Sequence, residues 1–145
     1  MGNIRLICFD LDGTFLDDKK NIPPENLEAL KAAAAKGVWI VPATGRIYRG
    51  IPEALRTLPF MRWYITVNGS YVYDAVEDRA VARAEIAVDR AVEFYEYCDS
   101  RGIYYDCYQD NWGWITRSFQ ETAEEFVPDQ YYLKMLLVQI GRAHV

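Results

Sequence analysis

The sequence predicts an α/β fold built on a parallel sheet. Three observations predict it: short apolar runs without helical period at residues 4–9, 38–43 and 63–67, helix signals in both intervals between them, and a polar residue (Asp10, Thr44 or Asn68) at the end of each run. Continuous apolar runs suit strands buried on both faces, the condition of a parallel sheet lying between its crossover helices. Right-handed crossovers then gather the three polar residues, because ligands of such sheets bind at the carboxyl ends of the strands.

The run at 4–9 is the first strand, and Cys8 within it reads as a small buried hydrophobe, since nothing around it suggests a lowered thiol pKa. In "NIPPENLEALKAAAAKG" two prolines open a helix, Leu27 and Leu30 share a face, and Gly37 stops it. "VWIVPA" is the second strand and leads into "TGR". "RGIPEALRTLP" gives a short helix with Pro52 in its first turn, and "WYITV" is the third strand. Beyond Asn68, alternation in "SYVYD" and "RAVARAEI" predicts an antiparallel pair around "AVED".

A different substructure begins near residue 86. "VDRAVEFYEYCDSRG" predicts an amphipathic helix with Asp89 as N-cap, Val92, Tyr95 and Cys98 on one stripe, and Gly102 as the stop. "IYYDCYQDNWGWITR" reads as two strands joined at "QDNWG". Ser118 and Glu121 have capping-box spacing for a short helix ended by Pro128, and "YYLKMLLVQ" is a closing strand. Tyr104, Tyr105, Tyr108, Trp112 and Trp114 read as packing residues of this unit rather than a substrate lid. The division near residue 85, between 1–85 and 86–139, is a change of topology with no flexible tether.

The composition bounds the chemistry. A 145-residue chain that is 51% apolar can bury a core of common domain size. Its formal charge of -5, with no basic run, argues against nucleic acid and anionic membrane as partners, because neutralising phosphates takes clustered Lys and Arg. A phosphorylated ligand therefore needs a local cation, which a divalent metal supplies. Three cysteines (Cys8, Cys98, Cys107) without C-x-x-C spacing fit reduced thiols. With no secretory h-region, no bilayer-length apolar stretch, and Leu6 breaking the lipidation pattern, the expected location is the cytoplasm. The single histidine, His144, lies next to the end, so triads, Cys–His pairs and His-ligated zinc have almost nothing to be built from.

The chemistry therefore concentrates in "LICFDLDGTFLDD". A strand that ends in two carboxylates one residue apart, with Gly13 to turn the backbone, concentrates negative charge within reach of a ligand. The pair makes sense if Mg²⁺ bridges Asp10 and a phosphate, since magnesium takes a few protein oxygens plus substrate oxygens. One carboxylate, Asp10, can then attack phosphorus, and the other, Asp12, can shuttle a proton to the leaving oxygen. An EF-hand calcium loop is excluded: counted from Asp10, glycine falls at position four and Asn21 at twelve. For Asn68-Gly69, a type I′ hairpin turn and a substrate contact remain equally open.

Asp10-Leu11-Asp12-Gly13-Thr14 after an apolar strand resembles the first motif of the haloacid dehalogenase-like superfamily. The resemblance implies a Rossmann-like core, an aspartyl-phosphate on Asp10, Asp12 as general acid/base, and Mg²⁺ held by the Asp10 side chain and the Asp12 backbone carbonyl. Thr44 of "VPATGR" stands where that family's second motif holds the transferring phosphoryl group. "ATGR" and "VNGS" are similar to the Cof-type branch, whose members mostly dephosphorylate sugar phosphates and other small phosphorylated metabolites. The resemblance there makes Thr44, Gly45, Arg46 and Asn68 the phosphate- and substrate-binding set, and 86–139 the start of an inserted α/β cap. A phosphotransferase or phosphomutase of the same superfamily is the alternative activity.

The family's third-motif lysine and its Gly-Asp-x-x-x-Asp fourth motif have no counterpart in the sequence, and Lys134 lies in the presumed cap. The chain is accordingly expected to be an N-terminal portion with little turnover of its own, a weak metal- or phosphate-binding fragment. The final "IGRAHV", at 140–145, is expected to be a non-native tail. Substrate identity and oligomeric state are not legible.

Overall fold

The computed structural model describes residues 4–84, 87, 90, 93, 94, 96, 97, 100 and 101, and the backbone of 106–108, 114–115 and 137–139. Strand β1 (Leu6–Phe9) and strand β2 (Trp39–Pro42) pair in parallel, in register from Leu6 opposite Trp39 to Phe9 opposite Pro42. Helix α1 (Pro24–Ala34) connects them. It starts on Pro24, at a position where a missing N–H costs nothing, and the chain leaves it through Gly37 at φ 76°. Leu30 is its buried residue.

After β2 come a 3₁₀ turn at Tyr48–Gly50, helix α2 (Glu53–Arg56) led in by Pro52, and strand β3 (Trp63–Thr66). A parallel bridge between Ala43 and Ile65, with the Thr44 N–H donating to the Ile65 carbonyl at 2.9 Å, joins β3 to the outgoing end of β2. The spatial order β1-β2-β3, with helices in both connections, is the predicted parallel α/β arrangement.

β3 also pairs antiparallel with β4 (Tyr71–Asp74), which pairs with β5 (Arg79–Arg83) across the turn "AVED". Asp74 is fully buried at that turn. Its carboxylate accepts Arg62 Nε at 3.1 and 3.2 Å, Arg62 Nη2 at 2.8 Å, and the amides of Val76 and Glu77 at 3.1 and 3.3 Å, so the buried charge is paired throughout. The core includes Leu11, Ile40, Ile51, Leu55, Tyr64 and Val67, and Val41, on the other side of β2 from Ile40, is buried as well.

Two expectations are corrected here. The sheet is not covered on both faces by the described residues: Ile4, Leu6 and Trp39 are 67%, 52% and 51% exposed, while Ile7 and Phe9, alternating with Leu6, pack against the core. Cys8, on the same side of β1 as Leu6, is exposed rather than buried, because a strand sends alternate side chains to opposite faces and β1 packs against the core through Ile7 and Phe9.

In the second substructure Arg90, Glu93, Phe94, Glu96, Tyr97 and Ser100 are helical, as predicted. Strand β6 (Asp106–Tyr108) pairs antiparallel with β7 (Trp114–Ile115) and parallel with β8 (Leu137–Gln139). The proposed N-cap Asp89, the stripe Val92, Tyr95 and Cys98, the stop Gly102, the "QDNWG" turn, the Ser118–Glu121 capping box, Lys134 and the tail at 140–145 lie outside the described residues, as do the side chains of the five aromatics. Among the described residues no helix is long and apolar enough to cross a membrane.

Candidate functional site

The stretch that leaves β1 turns around one buried side chain. Leu11 is 0% exposed, and its carbonyl accepts the amides of Thr14, Phe15 and Leu16 at 3.5, 3.1 and 2.9 Å. Phe15 and Leu16 are buried with it, and Gly13 takes the left-handed bend at φ 75°. With Leu11 driven inward, Asp10 and Asp12 on either side of it are both exposed. This explains the D-L-D-G-T pattern in packing terms: the central leucine is the anchor that presents two carboxylates.

Asp10 Oδ2 accepts the Thr14 hydroxyl at 3.2 Å. Asp12 is bound far more tightly. Arg46 donates Nε to Oδ2 at 2.8 Å and Nη2 to Oδ1 at 2.7 Å, and Lys20 Nζ adds a bond to Oδ1 at 2.9 Å. The Arg46 guanidinium, opposed by partial burial and aided by Lys20, holds the Asp12 carboxyl well below the usual carboxylate range. Arg46 is itself fixed by donating Nη1 to the Gly50 carbonyl at 2.6 Å, and its side chain is only 14% exposed, so it is not a solvated arginine.

Thr44 is buried, and its hydroxyl oxygen accepts the Arg46 N–H at 3.2 Å. The loop after β3 closes onto the same segment: the Val67 N–H donates to the Arg46 carbonyl at 3.0 Å and the Asn68 N–H to the Thr44 carbonyl at 3.1 Å. Asn68-Gly69 does belong to a hairpin turn, but not to the two-residue I′ form. Strand pairing ends at Thr66 opposite Tyr71, and Val67, Asn68 and Gly69 all have positive φ (50°, 52° and 89°). The amides spent on residues 44 and 46 account for the wider loop. A Cβ built on Gly45 would lie 2.7 Å from Asn68 Oδ1, so glycine is what lets that side chain lie over the strand end.

The structure thus links Asp12, Thr44, Arg46 and Asn68 in one hydrogen-bonded network, with Gly45 against Asn68 and Asp10 at the neighbouring strand end. Thr14 belongs to the Asp10–Thr14 motif but receives no role from it, and motif spacing does not single out Lys20. The lysine sits in "DDKKN", an ordinary polar turn to the eye, and only its backbone conformation reveals its reach. Among the described residues there is no cluster of three or more His, Cys, Asp or Glu that could hold a metal. Of the two aspartates, the exposed Asp10 carboxylate is the kind of donor a hard cation takes alongside waters and substrate oxygens. The Asp12 carboxylate, already bonded by two cations, does not suit a metal.

Fold and site define a class: a parallel α/β protein with an aspartate pair at the first strand end and a Thr-Gly-Arg segment at the second. Residues 7–139 match the family model of haloacid dehalogenase-like hydrolases, and the chain belongs to that family. It is 31% identical over 105 residues to Phosphatase YwpJ of Bacillus subtilis (strain 168), covering 72% of this chain and 36% of that protein. It is 40% identical over 73 residues to 5-amino-6-(5-phospho-D-ribitylamino)uracil phosphatase YcsE of the same strain, covering 50% of this chain and 29% of the relative. Among solved structures, the HAD subclass IIB sugar phosphatase BT4131 shares the fold with a TM-score of 0.72 at 24% identity, over 93% of this chain and 52% of that one. The chain therefore spans about a third of the length of these curated relatives.

Proposed function

We propose that the chain carries the nucleophile-bearing part of a Cof-type, Mg²⁺-dependent phosphatase acting on small phosphorylated metabolites, with residues 1–85 as core and 86–139 as the beginning of a cap. One observation carries the reading: two exposed carboxylates flank a buried leucine at one strand end, beside a buried threonine and an arginine at the next. In this scheme an Asp10 oxygen attacks phosphorus while the P–O bond to the leaving group breaks, and Asp12 gives the leaving oxygen its proton. Water then cleaves the acyl phosphate, with Asp12 taking the proton back. The Asp10 carboxylate and the Asp12 carbonyl would hold Mg²⁺, which would neutralise the phosphate charge when bound. Thr44 and Arg46 hold the phosphoryl oxygens, and Asn68 meets the substrate beyond them.

A second reading, binding of Mg²⁺ or phosphate without turnover, is favoured by the donor set, since among the described residues no group of three or more His, Cys, Asp or Glu could hold a metal and the lysine at the site is spent on Asp12. One experiment separates the two: phosphate release from a generic phosphomonoester, with and without Mg²⁺, by the chain and by Asp10→Asn of matching circular dichroism. Release that needs Mg²⁺ and disappears in Asp10→Asn supports the enzyme. Mg²⁺ binding lost in Asp10→Asn without release selects the second reading, and release that survives the substitution removes Asp10 as nucleophile.

A further inference from the structure

Val67, Asn68 and Gly69 have consecutive left-handed backbones, and asparagine and glycine tolerate that conformation. Valine does not. A β-branched residue at φ 50° is strained, and it persists only where the surroundings over-determine it. Here they do. The Val67 side chain is buried in the core at 1% exposure, and its carbonyl accepts the Ser70 N–H at 3.0 Å and the Ser70 hydroxyl at 2.6 Å.

The strained residue redirects one amide. An extended Val67 would carry the pairing of β3 with β4 one step beyond Thr66 and Tyr71, opposite Ser70. The left-handed turn instead sends the Val67 N–H to the Arg46 carbonyl at 3.0 Å, beside the Asn68 N–H on the Thr44 carbonyl. Arg46 is thereby held at both of its backbone polar groups, since its own N–H donates to the Thr44 hydroxyl oxygen at 3.2 Å. That bond takes a lone pair of the buried hydroxyl and leaves its proton for a ligand. Resting on the phosphatase reading above, we propose that Val67 is a positioning residue for the phosphoryl-binding segment 44–46. Its buried side chain locks a left-handed backbone whose N–H fixes Arg46, and Arg46 in turn fixes the direction of the Thr44 hydroxyl. Val67 itself touches no phosphoryl oxygen.

The test compares the parent with Val67→Gly and Val67→Ala as ¹⁵N-labelled 145-residue chains with Mg²⁺, each folded by circular dichroism. NMR reads hydrogen exchange of the residue 67 amide and, in a titration with inorganic phosphate, the Thr44 and Arg46 amides. Both substitutions empty the buried site, but glycine adopts a left-handed backbone without strain and alanine does not. Phosphate affinity is expected to fall several-fold in Val67→Ala, with faster exchange at residue 67, and to recover in Val67→Gly. Equal affinity in all three chains, or a fall in Val67→Gly as large as in Val67→Ala, assigns Val67 to packing alone; either overturns the proposal and leaves the phosphatase reading standing. Should Val67→Ala fail to fold, the parent decides: by reciprocity of coupled equilibria, saturating phosphate is expected to slow exchange of the Val67 amide several-fold, and an unchanged rate overturns the proposal. No response of Thr44 to phosphate in the parent overturns both.

Discussion

Leu11→Ala is the substitution that most directly probes how the site is built. Leu11 is 0% exposed within a cluster that includes Phe15, Leu16 and Ile40. Truncating a buried leucine to alanine costs about 2.7–5 kcal/mol, the spread reflecting how far the surroundings collapse into the cavity. Collapse is restricted here, because the Leu11 carbonyl ties down three following amides and the bend at Gly13 is already left-handed. The cost should therefore fall in the upper half of the range, about 4 kcal/mol. With a urea m-value of about 2 kcal/mol/M for a chain of this size, the midpoint moves down by about 2 M, read by tryptophan fluorescence. Leu11→Met, which keeps the volume, should cost less than about 1.5 kcal/mol. A loss under about 1 kcal/mol for Leu11→Ala would refute the anchoring role. Equal losses for Ala and Met would assign the effect to the backbone instead of to packing.

Two further substitutions test the electrostatics and the close packing. Gly45→Ala places a Cβ 2.7 Å from Asn68 Oδ1, but the obstacle is the end of a side chain; stability should change by about 1 kcal/mol or less while the Asn68 side-chain amide resonances move, and a loss above about 3 kcal/mol would show the backbone yielding instead. Arg62→Met addresses Asp74, whose carboxyl is held below the ordinary value of 3.8 first by its hydrogen bonds to Arg62, against burial, and then by the Glu77 and Val76 amides. A depressed folded pKa stabilises the fold above the unfolded value and is lost as pH falls through the folded one. The stability gap between the parent chain and Arg62→Met should accordingly be full at neutral pH and narrow below about pH 4 in urea titrations; a gap independent of pH would remove Asp74 as its source.

Much of this was legible beforehand, for identifiable reasons. The parallel order of β1, β2 and β3 follows from apolar runs separated by helix signals, and the pairing of β4 with β5 from period-two alternation. Asp10, Thr44 and Asn68 stood out because the strand ends they occupy are marked by abrupt changes from apolar to polar, Asp12 because it repeats the carboxylate two residues on, and Arg46 through the family resemblance. Cys8 and Leu6 were misplaced because an apolar run states that a strand can be buried on two sides, not that both sides have a partner. The Asn68 loop was legible as a turn, yet its width depends on amides donated to residues more than twenty positions earlier, which no local pattern encodes. Lys20 escaped for a similar reason: its contact with Asp12 depends on a left-handed backbone angle in a turn closed by the Asp17 carbonyl, whereas spacing along the chain gives no hint of it.

The amides of Val67 and Asn68, spent on the carbonyls of Arg46 and Thr44, make the site a seam between two kinds of pairing. On one side lies the parallel sheet that carries the aspartates, on the other the antiparallel hairpin that runs toward the second substructure. A seam of this kind transmits rather than isolates. A tug on β4 or β5 is felt at the backbone that shapes the threonine and arginine positions, and through the Arg46 guanidinium it reaches the Asp12 carboxylate. Length changes in the 67–70 loop are for the same reason poorly tolerated, even though the loop is short, polar at its tip and close to solvent.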